Sequence, residues 1–203
     1  MNHRRNLWSI SIGLAALVVL AVQAAAGPFE EGVDAYNRGE YTRAYRLWLP
    51  LAERGNAHAQ FKVGLLYYTG EGVPQDYHQA ARWCCLAADQ GYAQAQSELG
   101  ALYAEGQGVP QDYQQAARWY RLAADQGYAK AQLGLGVLYG LGQGVPKDSV
   151  QAHMWFNLAA AQGDPLAPQL RDLLEKEMTS SERAEAQRLA QLTHTAQETS
   201  ASA

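Results

Sequence analysis

Cysteine is nearly absent from this sequence: there are two in 203 residues, Cys84 and Cys85, and they are neighbours. Adjacent cysteines on one helix cannot bridge without severe backbone strain, so no disulfide framework follows. Histidine is sparse as well. His3, His58, His78, His153 and His194 never fall three or four residues apart, so helical metal-ligand spacing is missing. No Ser-x-x-Lys, Gly-x-Ser-x-Gly or His-Glu-x-x-His motif occurs, which leaves no catalytic residue to nominate. His153 stands where the neighbouring repeats have alanine and has no acid or base beside it in sequence, so it reads as a structural variant. Neither a metal nor any other cofactor is expected, and the chain does not read as an enzyme. Clusters of Lys and Arg are missing too, and the net charge is −4. A chain without that counter-charge is poorly suited to a phosphate backbone, so the expected partner is not a nucleic acid.

A long apolar run is present only at the start. His3, Arg4 and Arg5 precede the stretch Leu7–Val22, and Ala24, Ala25 and Ala26 stand before Gly27. This is the layout of a secretory signal peptide over residues 1–26. The alternative is an uncleaved anchor, but the run is shorter than the roughly 20 residues of a spanning helix. No cysteine stands near the expected cut, so lipid modification there is not expected. Removing Arg4 and Arg5 from a net charge of −4 leaves −6 on a mature chain with no stable membrane insertion. The expected location is the periplasm or the medium.

What dominates the rest is repetition. Residues 57–92, 93–128 and 129–164 align without a gap at a period of 36, and the first two agree at 25 of 36 positions. Agreement on that scale signals a solenoid whose units bury their faces against each other. Within a unit, apolar residues at helical spacing (Ala59, Val63, Leu66, Tyr67) predict a first helix over about 57–69. Gly64, Gly100 and Gly136 recur inside it. A mid-helix glycine costs about 1 kcal/mol against alanine, so its return implies a backbone passing too close for a Cβ. Asp76 with Gln79, Asp112 with Gln115 and Asp148 with Gln151 predict capping boxes at the start of a second helix. That helix, about 77–90, turns Ala80, Trp83, Ala87 and Ala88 to the core and ends at Gly91. The flanks read as caps: a helix pair at 27–56 with Pro50 inside its second helix, and helices at 165–193, the last opened by Thr179 and Glu182. Residues 194–203 are small and polar and are expected to be disordered.

The pattern Ala-x-Ala-Gln-x-x-x-Gly-x-Leu-Tyr, then Gly-x-Gly-Val-Pro-x-Asp, Ala-x-x-Trp and Ala-Ala-x-Gln-Gly, resembles the Sel-one-like repeat family, a relative of the tetratricopeptide repeats. The resemblance implies an all-α fold, a right-handed α-solenoid of antiparallel helix pairs, serving as an adaptor for protein complexes. It also implies that the first helices line the concave surface. Some cysteine-rich members are associated with penicillin binding, which raises the alternative of an enzyme acting on cell wall or β-lactams. Those members bridge the helices of each repeat with cysteine pairs, and this chain does not carry them.

Register separates the remaining candidates. Cys84 aligns with Tyr120 and Phe156, an apolar place, whereas Cys85 aligns with Arg121 and Asn157, a polar and exposed one. The Gly70-x-Gly72 loops lack the preceding strand of a phosphate cradle and read as structural. The repeats disagree most along one face of the first helix. Phe61, Leu65 and Tyr68 of the first unit become Ser97, Ala101 and Ala104, then Leu133, Val137 and Gly140. Scaffold positions should recur and these do not. They mark either a groove for a protein or peptide segment, with His58 and Lys62 flanking, or packing against the N-terminal cap. Basic and aromatic residues there favour an apolar, acidic peptide. The chain thus reads as an exported, non-catalytic interaction scaffold, and a host-directed secreted factor differs only in destination. Protein recovered from periplasm or medium is expected to have the intact mass of a chain beginning at Gly27. Full-length protein in the membrane fraction would contradict this.

Overall fold

A computed structural model describes residues 27–201, so the expected leader lies outside the described residues. Helices α1 (Pro28–Asn37) and α2 (Tyr41–Glu53) make the N-terminal pair. The three repeats are α3 (Ala57–Thr69) with α4 (Tyr77–Ala88), α5 (Ala93–Glu105) with α6 (Tyr113–Asp125), and α7 (Ala129–Leu141) with α8 (Ser149–Ala161). Helices α9 (Ala167–Glu175) and α10 (Ser180–Ala201) complete the described residues, among which there is no strand. From α1 to α9 each helix packs on the one before it, which builds an α-solenoid.

The aspartates cap as expected. Asp76 Oδ1 accepts from Gln79 N at 3.0 Å, and Asp112 and Asp148 do the same for their own first turns. The glutamines do not reach back. The N–H each would satisfy already donates to the end of the preceding helix: Asp76 N to Tyr67 O at 2.9 Å, Asp112 N to Tyr103 O at 2.9 Å and Asp148 N to Tyr139 O at 3.0 Å. Half of the expected capping box is thus replaced by a bond that also satisfies an orphan carbonyl of the first helix. Between the two helices, the loop glycine Gly108 (φ +71°) lies so close over the start of α4 that a Cβ would overlap the Tyr77 carbonyl. Gly144 meets Tyr113 in the same way, so this glycine sets the stacking distance between units.

The mid-helix glycines make room mainly for side chains, not for a passing backbone. A Cβ on Gly100 would fall 2.8 Å from the Tyr120 ring, and one on Gly64 would meet Cys84 Sγ at 3.0 Å before the Ala80 carbonyl at 3.3 Å. Gly32 stands to Trp48 as Gly100 does to Tyr120, since a Cβ there would enter the indole. The N-terminal pair is therefore built on the repeat plan, with its connecting loop shortened to residues 38–40. Trp48 is fully buried, and its Nε1 donates to Phe29 O at 3.1 Å. Helix α2 runs on through the exposed Pro50 to Glu53.

Three core clusters follow one another along the stack. Each joins a second helix to the first helix of the next unit, as Cys84 and Ala88 join Leu99 and Leu102 in the middle cluster, and Trp83, Trp119 and Trp155 take one in each cluster. A buried glutamine crosses every junction. Gln60 Nε2 donates to Ala52 O (3.1 Å), Gln96 to Ala88 O (3.1 Å) and Gln132 to Ala124 O (3.3 Å). The acceptors are carbonyls in the last turn of the preceding helix. Gln90 then donates to Gln60 Oε1 at 2.7 Å, and Gln126 to Gln96 Oε1 at 2.8 Å. In the third unit Gln132 Oε1 has no partner.

The C-terminal end departs from the repeat plan. Helix α9 docks on α8 where a next first helix would lie, but α10 turns back across α8 and reaches α6. Ala190 joins the last core cluster, and Gln197 Nε2 donates to Ala124 O at 2.8 Å, the same carbonyl that Gln132 uses. This corrects the expectation of disorder from residue 194 on: helix α10 continues to Ala201, anchored by Gln197 within that polar stretch. Glu182 and Thr179 close a full capping box at its start, with Thr179 N to Glu182 Oε2 at 2.7 Å and Glu182 N to Thr179 Oγ1 at 3.2 Å.

Cys84 is buried and Cys85 is half-buried, less open than its register implied. Burial first, and then Asp89 with Oδ2 3.7 Å from Sγ, push the Cys85 thiol above its ordinary pKa. Because the thiolate is the reactive form, Cys85 is expected to label with a maleimide at pH 7 more slowly than a free thiol, and Asp89→Asn to speed it. Cys84 should label only on unfolding, so equal fast labelling of both would contradict the structure. Gln96→Leu is expected to lower stability in urea by about 1–2 kcal/mol, since it removes the bond to Ala88 O and the bond accepted from Gln126. Gln132→Leu should cost less, because its oxygen is already unpartnered and Gln197 shares its acceptor; equal losses would argue against the link.

Candidate binding groove

The first helices of the three repeats lie side by side and line an open cleft of about 450 Å³. Its depth comes from the second repeat. Where α3 carries Leu65 and Tyr68, α5 carries Ala101 and Ala104, and the missing side-chain volume is the cleft. Tyr68 stands at one wall and Leu133 and Val137 at the other. The Tyr120 ring closes part of the floor, wedged against Gly100 and Gly134 on neighbouring helices, where added Cβ atoms would fall 2.8 and 2.7 Å from it. Val137 also lines a second cavity of about 410 Å³, so the two adjoin. That cavity is apolar, with Leu141 and Phe156 on one side and Leu170 and Leu173 of α9 on the other. Leu141 and Leu173 are each 62% exposed, unusual for side chains of that size.

The five residues singled out in the sequence are divided by the fold. Tyr68 lines the cleft, with its ring 5.4 Å from that of Tyr77. Phe61 is half-buried and packs edge-on against Tyr92 at 5.4 Å, so it serves the middle core cluster. Leu65 lies between them, half-buried. His58 is exposed but flanked by the rings of Phe29 and Tyr92, at 6.1 and 4.7 Å. Lys62 turns toward the N-terminal pair, its Nζ 5.8 Å from the ring centres of both Tyr36 and Trp48. At that distance the ammonium is held by the faces of the rings, away from the cleft.

The charges that do line the cleft are Glu98, Glu105 and Lys130. Lys130 Nζ lies 3.3 Å from Glu98 Oε2, and the Glu98 side chain is only 13% exposed. Burial works against the Lys130 ammonium, but Glu98 and its hydrogen bond outweigh that and raise the Lys130 pKa. Burial first, then Glu105 and Glu98, push up the hydroxyls of Tyr68 and Tyr120. Two carboxylates therefore set the field of the cleft, contrary to the acidic peptide expected from Lys62 and His58. Sequence reading missed Glu98, Glu105, Lys130, Leu141 and Leu173. The signal was available for Lys130, which aligns with His58 and Gln94, and for Leu141, which aligns with the polar Thr69 and Glu105.

His153 is fully buried and ties α9 to α8. Arg171 donates to Asn157 Oδ1 at 3.4 Å, which turns the amide so that Nδ2 faces His153 Nδ1 at 3.0 Å. The remaining ring N–H then points at Glu175 Oε1, 2.7 Å away. This network holds the α9 wall of the second cavity in place. Among the described residues no three His, Cys, Asp or Glu side chains converge as a metal site requires, and no helix is long and apolar enough to cross a membrane.

Comparison with known proteins agrees with this architecture. The family model of the Sel1 repeat matches residues 57–92, 93–128 and 129–164. The crystal structure of a Sel1 repeat protein from Oxalobacter formigenes is 34% identical, with a TM-score of 0.67, over 71% of this chain and 60% of that one. A protective antigen present in uropathogenic Escherichia coli strains and displaying an SLR fold is 30% identical, with a TM-score of 0.50, over 84% of this chain and 46% of that one. The chain thus spans less than two thirds of the length of either relative. No curated protein matches. Sel1 repeat proteins are generally scaffolds for protein–protein interaction. With three tandem units matched over more than half its length, the chain belongs to the Sel1 repeat family.

Proposed function

We propose that this protein is an exported, non-catalytic scaffold that holds a segment of a partner protein against the first helices of its repeats. The observation that carries the reading is the pair of adjoining cavities across α3, α5, α7 and α9, lined by residues that change from repeat to repeat around a scaffold that does not. Exposed leucines at the rim of a concave apolar site are what a docking surface requires and a free surface avoids. Export is inferred from the leader-like residues 1–26. A periplasmic or secreted destination follows from it.

Affinity capture from envelope extract with the chain beginning at Gly27, followed by mass spectrometry, tests the partner. Tyr68 is the most informative residue to change, since it lines the cleft and yet packs only partly into the core. Tyr68→Ala is expected to weaken binding of the captured protein by about 2 kcal/mol, and to lower folding stability by much less than the roughly 3 kcal/mol of a core aromatic. A full core-sized loss in melting, with binding unchanged in the folded remainder, would overturn the groove reading.

A further inference from the structure

The chemistry of the two adjoining cavities narrows what they accept. Among the three charged side chains that line the cleft, two are carboxylates and one is an ammonium, and Glu177 adds a carboxylate to the second cavity. Lys130 is committed to Glu98 at 3.3 Å. Glu105, the last residue of α5, is exposed and makes no ion pair among the described residues. The cations once placed at this face are engaged elsewhere: Lys62 lies over Tyr36 and Trp48, and His58 lies between Phe29 and Tyr92. Past Val137 the lining turns apolar, with Leu141, Phe156, Leu170 and Leu173 around a cavity of about 410 Å³. An acidic segment would meet like charge in the cleft, where the one lining cation among the described residues, Lys130, is already paired with Glu98. An uncharged apolar segment would fill the second cavity and leave Glu105 unanswered.

We propose that the groove selects a peptide segment carrying an arginine or lysine next to a large apolar residue, with the cation answering Glu105 and the apolar side chain entering the Leu141–Leu170–Leu173 cavity. The proposal rests on the groove reading above and adds the character of the ligand. Tyr68 lines the cleft together with the carboxylates and adds an aromatic ring for a guanidinium to pack on. The partner is thus recognised by a cationic-apolar pairing, with affinity shared between a charge-assisted contact and a buried anchor.

The test uses two sets of short synthetic peptides built from leucine, phenylalanine and serine, one set containing arginine and the other glutamate at the same positions. Binding to the chain beginning at Gly27 is read by fluorescence anisotropy. The best arginine peptide is expected to bind at least about tenfold tighter than any glutamate peptide, as a charge-assisted contact provides. Glu105→Gln and Leu173→Ser, both at exposed positions, should each weaken it severalfold. Ala101→Leu with Ala104→Tyr places in the second repeat the residues that the first repeat already carries at those positions, and so fills the cleft with side chains the scaffold tolerates. It should abolish binding while melting is unchanged; should this double variant not fold, Leu173→Asp gives the same readout. Equal binding of both sets, lost on filling the cleft, would overturn the cationic preference and leave the groove reading standing. Binding of neither set, or binding that survives a filled cleft, would overturn both.

Discussion

A buried side-chain amide spans every junction between helix pairs in this solenoid. Gln60, Gln96 and Gln132 each donate to a carbonyl in the last turn of the preceding second helix, eight residues back. Each of these carbonyls also accepts the backbone N–H of the glycine three residues on, Gly55, Gly91 or Gly127, at 2.9–3.0 Å. The glutamine adds a second donor to the carbonyl, a net gain of about 0.5–1.5 kcal/mol for a hydrogen bond, and at the same time fixes where the next helix starts. Close packing, both between units and between the two helices of one unit, is possible because glycine occupies the tightest contacts. Gly108 and Gly144 admit the start of the preceding second helix, and Gly100 and Gly136 admit the rings of Tyr120 and Phe156. Sequence identity between the repeats is concentrated at these contacts and at the tryptophans and alanines of the core.

One of these carbonyls serves again where the solenoid ends. Gln132 Oε1 lacks the donor that Gln90 and Gln126 supply within the first two units. Helix α10 does not add another layer. It folds back so that Gln197 reaches the Ala124 carbonyl and Ala190 enters the last core cluster. A polar helix laid across the stack covers an end that would otherwise expose its apolar face. At the inner side the short α9, held by His153 and Glu175, leaves the wall of Leu170 and Leu173 open. The cap therefore closes one side of the terminal repeat and leaves a cavity on the other.

The groove is built from what the scaffold does not specify. Where the stacking contacts fix glycine, alanine and glutamine, the exposed face of the first helices is free to vary, and the second repeat uses that freedom to carry small residues. Ala101 and Ala104 between Tyr68 and Val137 make a recess without any change in the backbone plan. Charge follows the same logic: Glu98 and Glu105 stand where the sister repeats have other residues, so the polarity of the cleft is set by a few side chains.

Helix content, repeat boundaries, capping aspartates and core tryptophans were all legible in the sequence, because they depend on local spacing and on residues that must recur every 36 positions. The variable stripe was legible as a contrast, but its division was not. Lys62 leaves the groove for the rings of Tyr36 and Trp48, and Phe61 goes to Tyr92, because those neighbours come from other helix pairs. The return of α10 to Ala124, 73 residues back, carried no local signal at all. A polar stretch such as 194–201 reads as disordered until a tertiary partner is present. The sequence by itself determined the unit and its stacking, since each is enforced by contacts that every repeat makes alike. Tertiary structure alone decided which charges face the groove and how the last unit is closed, since those depend on single residues meeting partners far away in the chain.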